Sequence, residues 1–114
     1  MYVSEFMGDL TEIKNKIRGY NPNQLIFYLD DEHRIKLNRR KITLDDIKQI
    51  LFDTDKIMHW EKQTHRNKKV RHRVTYKRSN KYSIVVVFEL RKNKIIMVTA
   101  WPRDINLTKQ FKTI

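Results

Sequence analysis

The 114-residue chain has no cysteine. That excludes disulfides, thiolate metal sites and cysteine nucleophiles, and a cytoplasmic setting fits it. Two glycines and two prolines leave little room for flexible linkers or low-complexity segments. The longest apolar run, IVVVF at 84–88, is far too short to span a bilayer. The first residues, MYVSEFMGDLTEIKNKI, have neither a basic n-region nor an apolar h-region, so no secretion signal is expected. Walker loop, dinucleotide glycine fingerprint and Gly-x-Ser-x-Gly elbow are all missing, which disfavours NTP hydrolysis, dehydrogenase chemistry and serine hydrolysis. Acid is also scarce where base is dense. Residues 66–81 hold Arg66, Lys68, Lys69, Arg71, Arg73, Lys77, Arg78 and Lys81 with no Asp or Glu.

What is present is positive charge. The formal net charge is +12, which points to a polyanionic partner, with RNA or DNA ahead of a membrane surface or an acidic protein. The length fits one domain, residues 1–114. Phe6, Leu10, Ile13 and Ile17 recur at helical spacing, so a helix is expected over 3–18. A helical region is expected over 23–52. Within it Thr43 and Asp46 form a capping box before a helix carrying Leu44, Ile47, Ile50 and Leu51. After Phe52 the period changes to two. Segments 56–64, 69–78, 82–90 and 94–101 read as strands joined by tight loops at 79–80 and 91–93. Pro102 is expected to end the last strand, and 105–112 to form a short C-terminal helix. The expected fold is α+β, with N-terminal helices packed on a four-stranded antiparallel sheet spanning 56–101.

VRHRVTYKR, at 70–78, carries the densest chemistry. As a strand it places Val70, His72, Val74 and Tyr76 on one face and Arg71, Arg73, Thr75 and Lys77 on the other. The valines are expected to face the helices, and Arg71 and Arg73 to share the ligand face. If both arginines stand exposed for phosphate, their removal is near neutral for folding. The alternative is structural pairing with Glu61 or Glu89 on neighbouring strands. Three histidines, His59, His65 and His72, fall close together, but only Glu61 lies near them among cations, so no metal is expected. No cofactor is expected either. Trp60 and Trp101 fit core packing better than base stacking.

HRIKLNRRKITLDDIKQIL, followed by RVTYKRSNKYSIVVVFELRKNKIIMVTAW, resembles the small RelE- and BrnT-like toxins. The closest likeness is to relatives with a helix-borne His, a strand Arg and a Thr near the end of the last strand. These belong to the barnase, EndoU, colicin and RelE assemblage of metal-independent nucleases. The likeness covers roughly residues 25–105. It departs at the end of the chain, where Trp101 and Phe111 stand in place of the Tyr or His common in RelE-like toxins. The resemblance implies a catalytic set of His33, Arg40, Arg73 and Thr99. The helical histidine would transfer a proton, the strand arginine stabilise the anion and the threonine position the phosphate. Tyr76 joins the set as a proton-transfer candidate by its own chemistry. Arg34, Arg39, Lys68, Lys69, Arg71, Lys77 and Arg78 are the expected nucleic-acid contacts. Two other classes stand beside an endoribonuclease. One is a non-catalytic RNA- or DNA-binding module. The other is a protein-interaction domain that binds an acidic antitoxin or forms a homodimer.

Overall fold

The structure is a computed structural model that describes residues 2–27, 35, 37, 39, 40 and 42–104. The elements run β1 (Tyr2–Phe6), α1 (Thr11–Arg18), β2 (Leu25–Phe27), α2 (Leu44–Leu51), β3 (Ile57–His65), β4 (Val70–Lys77), β5 (Tyr82–Arg91) and β6 (Lys94–Asp104). Single 3-10 turns at Pro22–Gln24 and Thr54–Lys56 lead into β2 and β3. The strands form one six-stranded sheet in the order β1-β3-β4-β5-β6-β2. Every pair is antiparallel except β2 with β6, which is parallel.

This corrects the expected four-stranded antiparallel sheet. The fold remains α+β, but a strand is added at each edge. Residues 2–6 pair with 61–65 instead of opening a helix. The helix begins only at Thr11, after Gly8 and Asp9, where the Asp9 carboxylate accepts a hydrogen bond from the Thr11 amide at 2.9 Å. Ile13 and Ile17 keep the helical spacing and are fully buried; Phe6 belongs to the strand. At the other edge, Leu25–Phe27 pairs with residues 95–97 where a helix was expected. The expected 105–112 helix lies outside the described residues. Pro102 does not stop β6, which runs on to Asp104 with Pro102 opposite Ile84. β2 covers β6 only at 95–97, so Pro102 sits on an edge, where a missing N–H is tolerated.

Helix α2 forms as its capping box requires. Thr43 Oγ1 accepts from the Asp46 amide at 3.0 Å, and Asp46 accepts from the Thr43 amide at 3.1 Å. Ile47, Ile50 and Leu51 of α2 join Ile13 and Ile17 of α1 in one core with Ile57, Trp60, Val74, Tyr76, Ile84, Val86 and Phe88. The core therefore lies on one face of the sheet. Alternation sends Val74 and Tyr76 of β4 into it, as expected of the valine-bearing face. Trp60 is fully buried in this core, and its indole N–H donates to His72 Nδ1 at 3.0 Å. Tyr76 is also fully buried and donates to the Leu51 carbonyl at 2.9 Å.

Burial holds the His72 pKa down to about 4, with Lys16 and Lys62 acting in the same direction. The unfolded chain binds a proton near the ordinary value of 6.5. Stability should therefore fall as pH drops from about 6.5 toward 4. Urea melts across that window, compared with His72→Phe, test this: the substitution should remove that part of the slope. A second expectation concerns Lys68 in the β3–β4 turn, which has φ 64°. An L side chain is strained in that left-handed region, so Lys68→Gly should raise the urea midpoint, by about 1 kcal/mol of stability.

Candidate nucleic-acid interface

The face away from the core carries the charged rows. Strand register sets them out. Glu61 of β3, Arg73 of β4, Val87 of β5 and Thr99 of β6 stand side by side. The next row is His59, Thr75, Val85 and Trp101. Gln63 and Arg71 open a third row, in which Glu89 stands opposite Ile96. Arg71 and Arg73 share this face, as the alternation implied.

Neither arginine stands unpartnered. Arg73 Nη1 lies 3.8 Å from Glu61 Oε2, and its guanidinium sits over the Trp101 ring, 5.0 Å from the centroid. Arg71 Nε donates to Glu89 Oε1 at 3.3 Å, while Arg91 Nη2 donates to Glu89 Oε2 at 2.8 Å. Burial opposes ionisation of Glu89, but the two arginines outweigh it and hold its carboxyl below the usual range. Of the alternatives set out for these side chains, the structure favours cross-strand pairing over a free exposed row. Register decides which glutamate each arginine meets, Glu61 of β3 for Arg73 and Glu89 of β5 for Arg71.

The expected catalytic residues separate into groups. Arg40 donates from Nη1 to the Ala100 carbonyl at 2.7 Å. That places it beside Thr99, which is half-buried on the charged face, and near Trp101, which Arg73 covers. Arg40, Arg73 and Thr99 thus gather around residues 99–101 of β6. His33 and Arg34 lie outside the described residues. Tyr76 is corrected: it is on the core face, its hydroxyl is spent on Leu51, and burial raises its pKa well above 10. It can neither reach a substrate on the charged face nor readily lose its proton. His59 and Trp101 occupy the charged face, where core packing was expected of Trp101, and Glu61 stands there as the pairing alternative had it. The signal was available in the strand period, which puts His59 and Glu61 on one face opposite Thr75 and Arg73; the register shift between Ile57 and His59 moves only Ile57 to the core side.

The expected contact residues Arg39, Lys68, Lys69, Lys77 and Arg78 are all exposed. Among the described residues Lys68, Lys69, Lys77 and Lys81 enter no salt bridge, and Arg78 acts at longer range, helping to lower the Asp46 pKa behind the Thr43 hydrogen bonds and against burial. These cations cluster at the two ends of β4. One end has a cleft of about 300 Å³ lined by Lys68, Lys69, Glu89 and Arg91. The other has a cleft of about 210 Å³ lined by Asp53, Lys56, Lys77 and Arg78. Among the described residues no three His, Asp or Glu side chains converge as a metal site would need, and no helix is long and apolar enough to cross a membrane.

No family model, curated protein or solved structure matches this chain. Function therefore rests on the chain's own geometry.

Paired in this way, the arginines are structural as well as cationic. Arg71→Ala/Arg73→Ala leaves buried Glu61 without its arginine and buried Glu89 with Arg91 alone. It should cost about 2 kcal/mol of stability in urea unfolding, where an exposed row would cost almost nothing. The contribution from Glu89 is present above the ordinary carboxylate pKa and lost as pH falls through its depressed one. The gap between the variant and the parent chain should therefore narrow in melts at acid pH.

Proposed function

We propose that this is a nucleic-acid-binding protein whose charged sheet face and flanking hairpins bind RNA. The observation that carries the reading is how charge is divided on that face. Its acids, Glu61 and Glu89, are engaged by arginines. Among the described residues the exposed Lys68, Lys69, Lys77 and Lys81 are left outside any salt bridge. Cations in excess over the acids near them favour a polyanion, and the phosphate backbone is the commonest one. β4 links the two clusters. It places Arg71, Arg73 and Lys77 on one side at even residue spacing along an extended strand. A guanidinium has five N–H donors, so an arginine paired to a glutamate keeps donors for a phosphate.

A second reading adds cleavage. Arg40, Arg73 and Thr99 gather around residues 99–101, as the likeness to RelE- and BrnT-like toxins implies for phosphate positioning and charge stabilisation. On this reading the protein is a metal-independent endoribonuclease. Incubation with single-stranded RNA in EDTA tests it. Products ending in 2′,3′-cyclic phosphate are expected, and Thr99→Val should reduce their rate. If the RNA stays intact across the pH range, binding alone stands.

The binding reading has its own measurement. Lys68→Gln/Lys69→Gln/Lys77→Gln should weaken RNA affinity at low salt. It should also flatten the slope of log affinity against log salt by about 2 to 3. An unchanged slope overturns the assignment of this face. Tight binding of an acidic protein with no RNA binding would assign the same surface to a protein partner.

A further inference from the structure

On the core side, away from the charged face, a cavity of about 390 Å³ opens between α1 and the β3–β4–β5 sheet. Lys16, Tyr20, Lys62, Val70, His72 and Leu90 line it, and none of these is acidic. Two ammonium groups stand at its wall. Lys16 meets Glu12 at 3.1 Å, but both are about half exposed, and such an exposed helix pair is weak. Among the described residues Lys62 is in no salt bridge; Glu5 faces it across the β1–β3 register without pairing.

His72 is the informative residue. It is 4% exposed and forms part of the cavity wall. Its Nδ1 accepts from the Trp60 indole. An indole N–H can only donate, so Nδ1 is unprotonated and the neutral ring carries its proton on Nε2. Among the described residues no acceptor meets that Nε2–H, and the atom is not closed off from solvent, so it can donate to a ligand in the cavity. The depressed pKa keeps the ring neutral near pH 7, so it offers a hydrogen bond and adds no charge. Tyr20 gives its hydroxyl to the Arg91 carbonyl, so its ring acts as an apolar wall together with Val70 and Leu90.

We propose that this cavity binds a phosphomonoester, with Lys16, Lys62 and the His72 Nε2–H holding the phosphate and Tyr20, Val70 and Leu90 lining the organic body. Two ammonium charges match a dianion, and the neutral donor supplies a directed contact. The volume falls within the range of small-molecule sites. A free mononucleotide and the phosphorylated end of a strand offer the same group. The site is independent of RNA binding by the charged face.

The test titrates the full-length chain, labelled at histidine nitrogen, with inorganic phosphate, AMP and adenosine. Phosphate and AMP should move the His72 Nε2 resonance, and adenosine should not. Lys16→Gln/Lys62→Gln changes two side chains that are not fully buried, and its fold is checked by circular dichroism. It should weaken AMP binding by about tenfold or more. Lys68→Gln/Lys69→Gln/Lys77→Gln should leave AMP binding intact even if RNA binding is lost. Comparing a 5′-phosphorylated with a 5′-hydroxyl oligonucleotide identifies the source. Preference for the phosphorylated strand assigns the strand end, and AMP binding without that preference assigns the free nucleotide. An unmoved His72 resonance, or equal AMP affinity in the Lys16/Lys62 variant, overturns the proposal.

Discussion

Strand β4 constrains the rest of the molecule. It lies inside the sheet, paired to β3 on one side and β5 on the other, so its register cannot slip by one residue without exchanging its two faces. In the observed register His72, Val74 and Tyr76 enter the core. Arg71 and Arg73 meet glutamates from the two flanking strands. The shifted register would push two guanidinium groups under the helices with no acid to meet them, which is far costlier than any gain in packing. The hydrophobic core and the charged face are therefore two results of one alternation.

The same alternation explains how a chain of net charge +12 folds without heavy self-repulsion across the sheet. Its mid-sheet arginines are neutralised where they are half-buried. Lys68, Lys69, Lys77 and Lys81 sit in turns and at strand ends, where water screens them. Polar groups inside the core are also served: Tyr76 reaches Leu51 and Trp60 reaches His72.

Much of the candidate site was legible from strand period. Arg71, Arg73 and Lys77 fall on one face because side chains alternate, and the loops that hold Lys68, Lys69 and Arg78 follow from where the period stops. Tyr76 was misread because its phenol suits proton transfer in any context, while its place opposite the arginines removes it from that face. Glu89 was already a named alternative partner for the β4 arginines; its second partner, Arg91, lies two residues on in its own strand and was not anticipated.

Local pattern alone determined the capping box of α2, the helical spacing of Ile13 and Ile17, the hairpin order of β3 to β6 and the two faces of β4. Each of these depends on neighbours a few residues apart, which the backbone geometry brings together whatever the rest of the chain does. The tertiary structure alone decided that residues 2–6 extend the sheet beside β3, that residues 25–27 run parallel to 95–97, that Arg40 caps the Ala100 carbonyl, and that Lys16 and Lys62 flank His72. Those placements join segments far apart in sequence. An edge strand of three to five residues carries too little periodicity to announce itself, and it forms because a neighbouring strand already presents unpaired N–H and C=O groups for it to meet.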